Sequence, residues 1–148
     1  MCGALFDLYQ QVILDHGKAP RNFRRLETPS AQARGDNPMC GDRVELFLQL
    51  DGERIGDASF MGRGCAVSIA SASMLTEAVR GLDRMQAAEM ASRFREMARS
   101  GDVPQAAGFE GLAALSGVHE FPSRVGCATL PWATLEAALA GGKEASSE

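Results

Sequence analysis

The sequence predicts an α+β domain, a small antiparallel β-sheet with helices packed on one face. Three observations carry this. Val44, Leu46, Leu48 and Leu50 alternate with Glu45, Phe47 and Gln49 at the two-residue period of a strand. Asp51-Gly52 then signals a turn, and Ile55 to Met61 reads as the returning strand of a hairpin. The rest of the chain is dominated by helical spacing, so the order is helix, hairpin, several helices, which segregates strands from helices instead of alternating them.

Taken in order, residues 4–16 form the first helix, with Leu5, Leu8, Tyr9, Val12 and Ile13 on one face and His16-Gly17 as its stop. From Pro20-Arg21-Asn22 to about Pro38 the pattern is irregular. After the hairpin, Gly62 and Gly64 break the strand just before Cys65. The small-residue run SIASASMLTEAVR, Ser68 to Arg80, reads as a tightly packed helix stopped by Gly81. Asp83 caps the next helix, whose stripe of Met85, Met90, Phe94 and Met97 is core and which ends at Gly101. A short helix covers Phe109 to Ser116, closed by Gly117. The last surrounds Cys127 and runs to about Leu139. Residues 1–140 thus form one domain, and 141–148 read as a disordered tail.

Composition narrows the class of function. The chain has 148 residues, 45% apolar and 23% charged, enough to bury a core without staples. Its formal charge of −4, without a clustered basic surface, argues against nucleic acid as a partner. No apolar run approaches the roughly 18 to 20 residues of a membrane helix. The first residues carry no basic leader or cleavage site, so a cytoplasmic protein with no membrane association is expected.

The four cysteines are Cys2, Cys40, Cys65 and Cys127. In a reducing compartment such thiols are metal ligands or catalytic groups more often than disulfides. Cys40 stands in Cys40-Gly41-Asp42 where the irregular stretch enters the first strand. Cys65 lies between the hairpin and the small-residue helix, and Cys127 near the start of the final helix. All three fall at element boundaries, where backbone can be aimed without breaking a helix or strand. Three thiolates and the Asp42 carboxylate would complete a tetrahedral zinc shell. The wide intervals match no local zinc motif, and buried apolar cysteines remain the alternative on spacing alone. Cys40, between Pro38 and Gly41 after the long irregular stretch, is expected to be the most mobile of the three.

The segments LYQQVILDHGKAPRNF, GDNPMCGDRVELFL, GRGCAVSIASASMLTE, LSGVHEFPSRVGCATL and PWATLE together resemble the SufU branch of the NifU/IscU-like family, from about Leu8 to Leu139. The resemblance implies a small sheet with packed helices and a zinc site at Cys40, Asp42, Cys65 and Cys127. It also implies sulfur acceptance by Cys40 from a SufS-type cysteine desulfurase, for delivery to downstream iron–sulfur assembly proteins. Two features favour this branch over the cluster scaffolds. Scaffold relatives carry a histidine before the last cysteine, where Gly126 stands, and a Leu-Pro-Pro-Val-Lys motif that is absent here. The long interval between Cys65 and Cys127 is also typical of the branch. There are departures as well. Related chains often have lysine where Gly126 stands, and Pro131 lacks the N–H that would bond the carbonyl of Cys127, so it kinks the final helix or marks its true start.

With that resemblance, Arg124, three residues before Cys127, is expected to assist catalysis as a cation beside the thiolates. Two rivals remain: a scaffold holding iron or a transient iron–sulfur cluster on the same residues, and a structural zinc domain that only binds a partner. His16 and His119 read as capping or loop residues before ligands, Arg21 to Arg25 as a solvated loop, and Cys2 as an adventitious thiol.

Overall fold

The structure, a computed structural model, describes residues 11–38 and 41–146. Cys2, Cys40 and the part of the expected first helix before Gln11 lie outside the described residues.

The hairpin follows the polarity pattern. β2 (Asp42–Asp51) and β3 (Arg54–Arg63) pair antiparallel from Arg43 opposite Arg63 to Asp51 opposite Arg54, with an irregularity between Gln49 and Leu50. Val44, Leu46 and Leu48 face inward and are fully buried. Phe47, on the other face, is buried too, with the Arg25 guanidinium 5.5 Å from its ring centroid.

Two strands depart from the sequence-based expectation. Within the stretch expected to be irregular, Ala31–Asn37 forms β1, antiparallel to β2 with Asn37 opposite Asp42. AQARGDN contains no β-branched or aromatic residue, so propensity gives no signal for it. Smallness is what the position demands. A Cβ on Gly35 would come within 2.1 Å of Thr134 Oγ1 and 3.0 Å of Leu130 Cδ1, so only glycine lets α5 (Pro122–Leu139) lie this close to β1. The irregular segment therefore ends near Ser30, and a paired strand, not a long loop, runs up to Asn37. The tail differs as well: Glu144–Ser146 forms β4, parallel to β1. The sheet is thus mixed, in the order β3-β2-β1-β4.

The helices cover the inner face. Residues 11–18 are helical (α1), α5 packs on β1 and β2, and α2 (Ala66–Val79) packs on β3 and α5. α2 is buried nearly all round, and its hydroxyls stitch it to both neighbours. Ser71 Oγ donates to the Ala128 carbonyl at 2.6 Å and accepts from Trp132 Nε1 at 3.1 Å. On the other side Ser73 Oγ accepts the Arg21 N–H at 2.8 Å and meets His16 Nδ1 at 2.7 Å. Each hydrogen bond is worth about 1 kcal/mol net, but an orphaned hydroxyl in this position would cost more.

α3 (Arg84–Ser100) starts with a capping box between Asp83 and Gln86 and ends at Gly101 in the left-handed region, φ 84°. Its inward stripe holds Met90, Phe94 and Met97, whereas Met85, expected in the stripe, is 82% exposed. Phe94 stacks on Trp132 with centroids 4.6 Å apart, worth about 0.5–1.5 kcal/mol beyond burial. The short helix is α4 (Phe109–Leu112), continuing as 3₁₀ turns over Ala113–Glu120.

Pro131 does not start the last helix. α5 begins at Pro122, where a missing N–H costs nothing, and continues through Pro131. Pro131 offers no N–H to the Cys127 carbonyl, and the next carbonyl, that of Ala128, accepts the Ser71 hydroxyl.

Candidate metal centre

Strand pairing builds the site. Because Arg43 stands opposite Arg63, the first residue of β2 and the segment leaving β3 emerge side by side. Gly64 makes the corner at φ +149°. A Cβ there would fall 2.2 Å from Asp42 Oδ1, so glycine is required for the carboxylate to approach the turn. The approach is used: the Cys65 backbone N–H donates to Asp42 Oδ1 at 2.9 Å. Cys65 is the N-cap of α2, and its side chain makes no capping bond. From the opposite side α5 brings Cys127 in its second turn, fully buried.

Asp42, Cys65 and Cys127 therefore converge. One carboxylate oxygen and the two sulfurs all lie within 4.8 Å of one another, a group able to hold a metal ion. Both cysteines are free thiols. A tetrahedral zinc shell with bonds of about 2.0–2.3 Å puts its ligand atoms somewhat under 4 Å apart, so shifts of roughly 1 Å close it. Asp42 Oδ2 is buried and has no hydrogen-bond partner among the described residues. A carboxylate oxygen left so costs on the order of 1–3 kcal/mol or more, a cost that a bound cation removes. The donor set therefore fits a metal ion.

Cys127 Sγ meets the Ser123 carbonyl oxygen at 3.7 Å, and Arg124 and Asn37 also border the sulfurs. Arg124, one turn before Cys127, is exposed, and its guanidinium is held more firmly charged by the Cys65 sulfur first and the Cys127 sulfur second. Asn37, the last residue of β1, is buried and directs its side-chain amide nitrogen at Cys127 Sγ, 3.9 Å away. The sequence marks Gly64 as a strand break before Cys65, but not its closeness to Asp42, and it assigns Asn37 no role.

Other candidates lie elsewhere. Neither His16 nor His119 joins the ligand group. His16 is engaged with Ser73, and burial, then repulsion from Arg21, hold its ring below the ordinary value of 6.5. His119 Nδ1 contacts the Ser116 carbonyl at 2.9 Å, and its ring packs under Gly101. The basic stretch is tied down within the chain: Arg21 to Asp15 at 2.8 Å, Arg24 to Asp57 at 3.0 Å, Arg25 to Glu45 at 2.9 Å. Cys40 stands two residues before Asp42, outside the described residues.

A mixed sheet under a helical layer brings a carboxylate and two thiols together at the ends of β2 and β3 and in α5, a donor group that could hold a metal ion. The chain belongs to the NifU-like N terminal domain family, whose model matches residues 8–140. It is 43% identical over 133 residues to the zinc-dependent sulfurtransferase SufU of Bacillus subtilis (strain 168), covering 90% of both chains. It is 37% identical over 132 residues to the iron–sulfur cluster assembly scaffold protein IscU of Streptococcus pyogenes serotype M1, covering 89% of this chain and 82% of that one. Among solved structures it superposes with TM-score 0.82 and 33% identity on a proposed iron–sulfur cluster assembly scaffold protein for the SUF system from Fervidobacterium islandicum, over 87% of this chain and 94% of that one. No helix among the described residues is long and apolar enough to cross a membrane.

Proposed function

We propose that this protein serves iron–sulfur cluster assembly as a zinc-dependent sulfur acceptor, working in the cytoplasm with a SufS-type cysteine desulfurase and downstream assembly proteins. The observation that carries it is the convergence of Asp42, Cys65 and Cys127 within 4.8 Å around a buried, unpartnered carboxylate oxygen. The identity to a named zinc-dependent sulfurtransferase supports it.

Cys40, Asp42, Cys65 and Cys127 would hold the metal. Zinc, when bound, keeps such thiols deprotonated and ordered, and its binding energy adds to folding. Cys40 is the acceptor. Its thiolate attacks the outer sulfur of a desulfurase cysteine persulfide; the persulfide S–S bond breaks, a new S–S bond forms on Cys40, and the desulfurase cysteine leaves as thiolate. The exchange is redox-neutral. Cys127 is fully buried inside a helix and Cys65 is tied by its backbone N–H to Asp42, which makes each a poorer candidate for the acceptor. Asp42 offers a hard oxygen that is easier to exchange than thiolate, and Arg124 presents a cation to the incoming anionic sulfur.

The test is metal analysis of protein purified without added metal, followed by anaerobic incubation with desulfurase and cysteine and peptide mass mapping. About one zinc per chain, a colourless protein and added sulfur on the Cys40 peptide are expected. Sulfur found on Cys65 or Cys127, with Cys40→Ser still active, overturns the assignment. A brown protein with cluster absorption and no zinc would favour a scaffold for iron or a transient cluster, the activity named for the streptococcal relative. Bound zinc with no sulfur accepted would mark a structural zinc domain.

A further inference from the structure

Asn37 lies within GDNPMCGDRVELFL, a segment that carries the resemblance, but the sequence assigned it no role. It is 4% exposed, and a buried side-chain amide is retained where its hydrogen-bonding capacity is used. Its amide nitrogen points at Cys127 Sγ at 3.9 Å, the long end of contact with sulfur, from the side of the sheet. Its carbonyl accepts the Gly41 N–H at 2.8 Å, closing the β1–β2 connection, and its backbone stands opposite Asp42. One residue thus contacts a ligand cysteine through its side chain and borders a ligand aspartate through its backbone.

The effect on sulfur is directional. An N–H donated to a thiolate stabilises the anion and draws electron density from it, so the sulfur persists as a ligand and weakens as a nucleophile. An amide oxygen in the same place would repel a thiolate, so the nitrogen-inward orientation is the attractive one. Arg124 lies against both sulfurs from the exposed side. The Asn37 contact is to Cys127.

We propose that Asn37 is a positioning residue that seats Cys127 as the resident, non-transferring thiolate of the metal centre. This rests on the zinc-binding function argued above. Cys127 thereby anchors the metal while another ligand leaves.

The test compares wild-type protein with Asn37→Asp, which replaces the donor by a carboxylate, and Asn37→Ser, which removes it with less risk to the fold. Zinc affinity is read by competition with a chromophoric chelator. Accessibility of each sulfur is read by iodoacetamide labelling of the zinc-loaded protein with peptide mapping. Both variants should bind zinc about 10–100-fold more weakly and show faster labelling of Cys127 relative to Cys65. Metal-free melting of each variant checks folding, and the serine variant carries the test if the aspartate variant fails to fold. Unchanged affinity in a folded variant overturns the proposal. So does weakened affinity with an unchanged Cys127-to-Cys65 labelling ratio, which would leave Asn37 a packing residue. Wild-type protein that binds no zinc would instead sink the functional reading itself.

Discussion

Cys65 and Cys127 belong to one cluster and are held by opposite means. Cys65 is half-buried, sits at the N-cap of α2 and is fixed through its backbone N–H, which Asp42 accepts. Cys127 is fully buried within α5 and is met at its sulfur by Asn37. One thiol is placed by the turn that precedes it and keeps a face toward Arg124 and solvent. The other is placed by helix packing and has no route outward. The difference teaches how one centre can pair a firm anchor with an approachable ligand: the anchor is built into the core, and the approachable ligand is aimed by a glycine corner.

The largest expected effect separates the two directly. Replacing either cysteine by serine should abolish stoichiometric metal binding, but their metal-free stabilities should differ. Cys127→Ser puts a hydroxyl where the surroundings are built for sulfur, costing about 1–3 kcal/mol, whereas Cys65→Ser should stay within about 0.5 kcal/mol of wild type. Denaturant melts of both apo variants measure this, and equal apo stabilities would break the comparison.

Gly64→Ala sharpens the Cys65 side alone. At φ +149° its Cβ would meet Asp42 Oδ1 at 2.2 Å, so the carboxylate must withdraw from the Cys65 N–H. A destabilisation of about 1–3 kcal/mol and weaker zinc binding are expected, with Cys127 labelling unaltered. Calorimetric zinc titration beside a thermal melt decides it.

Arg124→Ala probes the exposed face. Its guanidinium is favoured in charge by both sulfurs without being a ligand, so zinc content should stay near one per chain while stimulation of a desulfurase falls. Full stimulation by the variant would make Arg124 an ordinary surface residue.

The smallest effect lies on the opposite flank of α2, at the contact between His16 and Ser73. Burial, then Arg21, hold His16 below its ordinary value of 6.5, so the unfolded chain binds that proton more readily. Its contribution to stability is therefore complete above pH 6.5 and is lost as pH falls from there through the lower folded-state value. His16→Asn should flatten stability against pH over that window in urea melts, while zinc binding at neutral pH is unmoved. An unchanged slope would remove His16 from the account.

The sequence alone determined what local chemistry dictates. The two-residue alternation of 44–50 and the Asp51-Gly52 turn specify the hairpin, because one face must be buried and the turn needs a positive φ. Asp83 and Gly101 specify the ends of α3 by satisfying orphaned backbone groups. Donor chemistry offered Cys40, Asp42, Cys65 and Cys127 as candidates, and the family resemblance, not spacing, favoured them as ligands. Only the tertiary structure decided the rest. β1 has no propensity of its own and exists because β2 offers it an edge and α5 needs a strand without a side chain at Gly35. β4 exists because β1 offers the next edge to the tail. Pro131 removes one helical N–H, yet only the assembled structure shows that α5 runs through it to Leu139. Asn37 meets Cys127 only when the sheet and the last helix are assembled, and no local pattern encodes a contact made across that distance along the chain.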